Sequence, residues 1–390
     1  MSLNGQRAIV IGAGIGGLAA ALALQARGAE VTVLEQAEAI TEVGAGLQIS
    51  PNGLSVIQGL GLADGLAKTA VRAEAVNLRS HMRGDLVLRL DLARHASDQK
   101  FYCVHRSDLI SLMAGAVRDR GIQVRLLQKV QSVEAGPDPI VHLANGAQVE
   151  GDLVVGADGL HSRTRVALNG DDAPFFTGQA AWRAVVPNDL GLEPEVQLLM
   201  GPGQHMVFYP LRSGDLVNII AVREQADWTA EGWTHSDDPD NLRAAFAGFG
   251  GQARDLLASV DHVGLWGLFR HPVAEHWHNG RVALVGDAAH PTLPFMAQGA
   301  NMALEDAWVL ADALSQAGTD GEGLWHYQQR RRDRAVRVIA AANNNAWKYH
   351  LRQPPVRGLA HLALRVGGRL APRHMVRQFD WIYRHDVTAG

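Results

Sequence analysis

Gly12, Gly14 and Gly17 stand as G-x-G-x-x-G between an apolar run, Arg7–Ile11, and a stretch of helical pattern, Gly17–Arg27. The run is short and continuously apolar, as a strand covered on both faces is. A second such run, Glu30–Leu34, follows the helix, and Glu35 ends it roughly 20 residues after the turn. Strand, turn, helix and strand make one βαβ unit and predict an α/β fold with a Rossmann-like parallel sheet. Glycines at these positions permit a tight turn and let a pyrophosphate approach the helix N-terminus. Glu35 is placed to accept hydrogen bonds from an adenosine ribose. The plainer alternative is a glycine turn that only packs helix on strand. The turn alone does not separate FAD from NAD.

Further α/β segments follow: a helix over Arg106–Arg120, a strand over Gln123–Leu127, a β-meander with a turn at Asn145–Gly146, and a strand over Leu153–Ala157. From Gln179 the pattern changes. Ala181–Val186, Val196–Met200, Met206–Leu211 and Leu216–Val222 read as strands of an antiparallel sheet, separated by Gly, Pro and Ser turns. Asp240–Ser259 reads as one helix behind Pro239. Arg281–Val285 returns to a buried strand, and Gln298–Trp347 is mostly helical in pattern. The expected division is a discontinuous nucleotide-binding domain (1–73, 99–178, 261–340), an inserted, mainly antiparallel substrate domain (74–98, 179–260) and a helical C-terminal region (341–390).

Composition narrows the class. With 390 residues, 47% hydrophobic and 19% charged, the chain is long enough for two fused cores. A net charge of -4 argues against a general nucleic-acid partner. Cys103 is the single cysteine, which excludes internal disulfides and dithiol redox chemistry and suits a cytoplasmic setting. His271, His276 and His278 lack the Glu or Cys arrangement of a zinc site, so no metal is expected. Four glycines interrupt the apolar Ala8–Leu24 stretch, which reads as fold rather than signal peptide. No stretch reaches the roughly 20 apolar residues of a membrane-spanning helix.

Two later segments go further. Gly156–Ala157–Asp158–Gly159 is followed by Ser162 and Arg165, and Val285–Gly286–Asp287–Ala288–Ala289–His290–Pro291 stands downstream. Gly44–Ala45–Gly46 with Ser50–Pro51–Asn52, and His105–Arg106–Ser107–Asp108–Leu109, lie between the N-terminus and the first of these. In this order and spacing the segments resemble the class A, single-component FAD-dependent aromatic hydroxylases, whose "DG" and "GD" motifs they match. Salicylate hydroxylases and 3-hydroxybenzoate 6-hydroxylases are the most similar members. The resemblance implies bound FAD, transient NADH or NADPH, O2 as co-substrate, and hydroxylation of a small phenolic or aromatic carboxylate by a flavin C4a-hydroperoxide. A single glycine triplet, with no second nucleotide domain, fits a transient nicotinamide.

For FAD the resemblance and the local chemistry together point to Gly12, Gly14, Gly17, Glu35, Gly46, Arg106, Asp158, Gly286, Asp287, Pro294, Gly299 and Asn301. A strand delivers Asp287 to its carboxyl end, where open α/β sheets bind ligands and where ribitol hydroxyls could donate to it. A helix starting near Gly299–Asn301 offers free N–H groups to a negatively charged, reduced flavin. An ordinary strand–loop–helix connection is the alternative. Arg106 reads either as a contact to the ribityl or phosphate region or as a surface arginine at a helix start.

On the substrate side, His205 and Tyr209 share one face of a predicted strand, about 13 Å apart, and could mark two ends of a pocket. The pair at this spacing resembles the salicylate-type enzymes, where such a histidine helps deprotonate the phenol. A satisfied core histidine is the bland alternative. Tyr102 and Gln298 are the other catalytic candidates, and His290 is expected to order the loop near the flavin. Gln48, where some relatives place a histidine, and Phe269–Arg270–His271–Pro272, where many carry an acid–arginine pair, leave the substrate open. A ubiquinone-biosynthesis-type or antibiotic-modifying hydroxylase, a flavin reductase or dehydrogenase, and a flavin-binding protein without turnover remain as rivals. The arginines at 330–332, 334, 365, 369, 373, 377 and 384 read as solvated faces of helices packed on the flavin domain, with a homodimer contact or peripheral membrane association as the alternative.

Overall fold

Arg7–Ile11 is the middle of a six-stranded sheet, flanked in parallel by Leu153–Gly156 and Glu30–Leu34. Val282–Leu284 and Gln123–Arg125 extend it on either side, and His278–Asn279 adds an antiparallel edge. This computed structural model describes residues 2–40, 45–228, 236–319 and 321–389, apart from the side chains at 345 and 346. Gly44 lies outside the described residues. Ile11 pairs with Leu34 and Gly156, and Gly156 pairs with Leu284. The glycine turn and the segments that follow Gly156 and Leu284 therefore leave the sheet at one carboxyl edge, the edge where such sheets bind ligands. The helix Ile15–Gln25 is apolar all round because it is covered all round, by the strands and by the helices Arg106–Asp119 and Gly299–Ala317.

The second sheet has eight strands, in the order 236–237, 263–270, 175–187, 216–224, 204–211, 195–201, 75–80, 86–91. All pairings are antiparallel except that of 195–201 with 75–80. Each of the four strands expected between Gln179 and Val222 is present and longer than its apolar run. Met206 and Phe208 point to one side, into a core with Leu242, Phe246 and Leu256. His205, Val207 and Tyr209 point to the other. A three-stranded meander over 130–150 and a small sheet of 46–49, 102–105 and 71–72 complete the strands.

Three expectations are corrected. The strand Val263–Arg270 pairs with Phe175–Pro187 and belongs to the eight-stranded sheet, although it falls in the stretch 261–340 assigned to the nucleotide-binding part. The single helix Asp240–Ser259 is two, Pro239–Ala245 and Gln252–Ala258. They part at Gly250, whose absent Cβ would lie 2.1 Å from the Met82 carbonyl oxygen, and at Gly251, with φ +60°. The helices Pro354–Leu370 and Pro372–Arg377 pack on the strand Leu86–Asp91 of the large sheet, where Leu364 and Met375 meet Leu88, whereas Asp380–Tyr383 packs with Ile382 on the core of the parallel-sheet part, as expected. Their Arg365, Arg369 and Arg373 are exposed as expected, but Arg331 is fully buried and Arg334 nearly so. No helix among the described residues is long and apolar enough to cross a membrane.

Candidate active site

The glycine turn and the Gly156–Gly159 loop touch through a missing side chain. Gly12 has φ +100°, and a Cβ there would lie 2.5 Å from the Ala157 carbonyl oxygen. Gly14 begins the helix Ile15–Gln25 with no side-chain cap, and nothing stands within 4 Å of where its Cβ would be. That space in front of free N–H groups is a cradle for an anionic diphosphate. Glu35 accepts N–H groups of Ala13 and Ala37, each at 2.8 Å, so it braces the turn while each oxygen keeps capacity for a ribose hydroxyl. Asp158 is turned to its own loop, accepting from Ser162 Oγ at 2.6 Å and Thr164 N–H at 3.0 Å. Arg165 ties this loop to the downstream motif, donating to the carbonyls of Ala288, Ala289 and Pro272.

A single cavity of about 860 Å³ lies between that carboxyl edge and one face of the large sheet. Gly14, Gly46, Gln48, Arg106, Gly286, Asp287, Pro294 and Gly299 line one side. His205, Val207, Tyr209 and Arg183 line the other. Asp287 is exposed into the cavity, and among the described residues no hydrogen bond engages its carboxylate. Burial pushes its carboxyl up, while His290 and Arg106 pull it back. Burial likewise disfavours the charge on Arg106, and Asp287 supports it. An unengaged acid and a facing cation beside an uncapped helix start and an open glycine fit FAD: the hydroxyl chain on Asp287, the diphosphate at Gly14, the ribose at Glu35.

Below this loop lies a buried ion network. Asp306 accepts from the Gly286 N–H at 3.0 Å, from Arg331 Nε at 2.7 Å and from His290 Nε2. Arg331 also pairs with Glu305, which is held by Arg334 and by Asn52 Nδ2. Buried charges persist only when paired, and here two acids meet two arginines. Burial would raise Asp306, but His290 and Arg331 together bring it down to about 2. His290 thus orders the loop, as expected, through Asp306.

The other candidates separate. Tyr209 is buried; burial raises its phenol, against smaller opposing effects of Arg183 and Gln48. Gly46 lets it come close, since a Cβ there would be 2.9 Å from Tyr209 Cε2. His205 is 3% exposed, with burial pushing its pKa well below the usual histidine value. Tyr102, Gln298 and Asn301 do not line the cavity. Tyr102 packs on the core beneath the parallel sheet. Gln298 donates to Ser50 Oγ at 3.0 Å and accepts from Asn52 at 3.0 Å. Asn301 accepts the Ser50 N–H and donates to the Gln48 carbonyl, each at 3.0 Å, so both shape the loop that carries Gln48 from behind.

Three residues at the site were not anticipated. Arg183 faces the cavity from an apolar strand, 5.7 Å from the Trp266 ring, and no carboxylate pairs with it among the described residues. A lone charge at a cavity-facing position of a strand was its only signal. His350 stands 145 residues from His205 and 126 from Glu224, separations no local pattern spans.

A Rossmann-like sheet with three loops converging on a cavity closed by a second sheet defines an FAD-binding oxidoreductase with an enclosed small-molecule site. The FAD binding domain family matches residues 6–342. The chain is 35% identical to 3-amino-4-hydroxybenzoate 2-monooxygenase PtmB3 of Streptomyces platensis, over 100% of this chain and 98% of that one. It is 32% identical to 3-hydroxybenzoate 6-hydroxylase of Klebsiella oxytoca, covering 88% and 89%. A solved salicylate hydroxylase substrate complex superposes with a TM-score of 0.81 at 25% identity, covering 100% and 97%. The chain belongs to the FAD-dependent aromatic monooxygenases.

Proposed function

We propose that the enzyme hydroxylates a small phenol bearing a carboxylate, a hydroxybenzoate or its heteroaromatic counterpart, at the expense of NADH or NADPH and O2. The observation that carries this is the presence of a buried base, His205, and a cation, Arg183, that no carboxylate among the described residues pairs, on one wall of the cavity. Both curated relatives are named for hydroxybenzoates, which supports the same class.

FAD, when bound, takes electrons from the nicotinamide and activates O2 for attack on the ring. The chain does the rest. His205 takes the phenolic proton, since an ionised phenol is the better nucleophile toward an electrophilic oxygen. Arg183 balances the carboxylate. Tyr209, kept neutral by burial, offers a hydroxyl at the far end of the strand. Val207, Leu198 and Met200 keep that wall apolar and exclude water. Glu35, Gly14, Arg106 and Asp287 hold FAD, and the division into a discontinuous FAD-binding domain and an inserted substrate domain is supported by the membership of the two sheets. A cytoplasmic setting fits the one, buried cysteine, Cys103.

The test is NADH or NADPH oxidation by purified holoenzyme against phenols with and without a carboxylate, with products identified. Hydroxybenzoates should be turned over best. Arg183→Met should raise KM for them roughly 10- to 100-fold, as for a lost charged hydrogen bond, and leave carboxylate-free phenols little changed. Equal turnover of both groups by the native enzyme would overturn the carboxylate assignment.

A further inference from the structure

His205 is the inner end of a chain of three titratable side chains. Its Nδ1 lies 2.6 Å from His350 Nε2, and His350 Nδ1 lies 3.0 Å from Glu224 Oε1. His205 lines the cavity and His350 is 4% exposed, while the Glu224 side chain is 33% exposed. Glu224, His350 and Arg352 line a separate surface recess of about 290 Å³. The chain therefore runs from the substrate cavity to solvent. The backbone fixes it at both crossings: Gly203 N–H donates to the His350 carbonyl at 3.0 Å, and Glu224 N–H donates to the Gly203 carbonyl at 2.9 Å.

The order of protons along this chain follows from its outer end. Arg352 donates to Glu224 Oε2 at 3.1 Å. Burial alone would raise the Glu224 carboxyl, but Arg352 and His350 more than offset it and hold it below the usual range. An anionic Glu224 can only accept, so His350 carries its proton on Nδ1 and presents a lone pair at Nε2. Nε2 must then receive the proton on His205 Nδ1. That leaves His205 Nε2 as a lone pair, and among the described residues it has no hydrogen-bond partner. Phe295 and Tyr349 pack their rings against His205, Glu224 and Arg352 face His350, and among the described residues His350 is the one hydrogen-bond partner of His205 Nδ1.

We infer that His350 and Glu224 form a proton relay that sets the tautomer of His205 and carries the substrate's phenolic proton to the surface recess. This rests on His205 being the base that the proposed function assigns. As the substrate O–H bond breaks, an N–H bond forms at His205 Nε2. The Nδ1 proton of His205 passes to His350 Nε2, and the Nδ1 proton of His350 passes to Glu224 Oε1 and on to water. The reverse transfer, once product takes a proton back, restores the starting tautomers. His350 and Glu224 are positioning and relay residues that never touch the substrate.

The experiment uses FAD-loaded enzyme without nicotinamide and 4-hydroxy-3-nitrobenzoate, a phenol whose ionisation is coloured, as the probe. Rapid mixing reads the rate of probe ionisation after binding, in H2O and in D2O. The native enzyme should ionise the probe with a rate lowered in D2O. Glu224→Gln and His350→Ala should each slow ionisation on the order of 10²-fold, the low end for a lost proton-transfer group, with the probe Kd and FAD content kept. Imidazole added to His350→Ala should restore the rate through the recess, an effect no structural role predicts. Native rates in both variants, with ionisation lost in His205→Asn, would overturn the relay and leave the base standing. Undiminished ionisation in His205→Asn would instead remove the base, and the relay with it. If His350→Ala does not fold, Glu224→Gln decides alone: a native rate and isotope effect in it overturn the relay.

Discussion

Asp306, on the helix Gly299–Ala317, accepts the backbone N–H of Gly286 at 3.0 Å and thereby fixes the residue before Asp287 to a buried ion network. The cavity-facing acid at 287 is thus held in place by a carboxylate that does not line the cavity.

Arg331→Met should therefore do two things. It leaves Glu305 and Asp306 with less than their full complement of positive charge in a dry interior, which should cost about 3–5 kcal/mol of stability. It should also weaken FAD binding, because the Gly286 loop loses its brace. Thermal unfolding with and without FAD, together with FAD titration, measures both. An unchanged Tm would mean the network contributes nothing.

Asp287→Ala acts from the other side of the same loop. Removing a charged acceptor should weaken FAD by about 1.5–3 kcal/mol, roughly 10- to 100-fold in Kd, with the fold intact. Quenching of flavin fluorescence on titration into apoprotein gives the number. Wild-type affinity would show that the carboxylate makes no contact with FAD.

His205→Ala should keep FAD bound and slow hydroxylation by roughly 10²–10⁴-fold. More hydrogen peroxide should appear per NAD(P)H consumed, since an un-ionised ring captures oxygen poorly. Product and peroxide yields in native and variant enzyme decide this. Unchanged coupling would remove His205 from the chemistry.

Acid should destabilise the fold earlier than carboxylates alone would dictate. Burial lowers the pKa of His205, His350, His81 and His361 below the histidine value. The unfolded chain then binds protons on these groups at a higher pH than the folded one. Stability is full above about pH 6.5 and falls as the pH drops below it. Asp306, held at about 2, contributes its share above the unfolded value of about 3.9 and loses it only as pH falls further, toward 2. Between pH 7.5 and 5.5 the Tm should drop by about 2 °C or more. A flat profile over that interval contradicts neutral, buried histidines.

What the sequence disclosed was local. Ile9–Val10–Ile11, Gly12, Gly14 and Glu35 lie within one βαβ unit, so spacing alone placed them. His205 and Tyr209 lie on one strand, and period two put both on the cavity wall. Pairing between distant strands was not legible, which is why the stretch 263–270 was placed with the nucleotide-binding part rather than with the strand Phe175–Pro187 that it pairs with. Arg331 looked like its neighbours Arg330 and Arg332, because nothing in a run of arginines tells which one turns inward to two acids on another helix. Gln298 sits beside Gly299 in sequence, yet one residue of helical rotation separates the cavity wall from the packing beneath it. His350 and Glu224 become neighbours only when the end of the helix Gly321–Tyr349 reaches the strand Leu216–Glu224.

The cavity draws its lining from both ends of the chain, from Gly14 to Tyr383. The helices Pro354–Leu370 and Asp380–Tyr383 help wall this cavity, while Gly14 and Asp287 lie at the edge of the parallel sheet. A chain cut before residue 354 would keep those sheet-edge residues but leave the substrate side open. Electrons reaching oxygen in such an open site should yield peroxide rather than product, so coupling rests on helices far from the glycine turn.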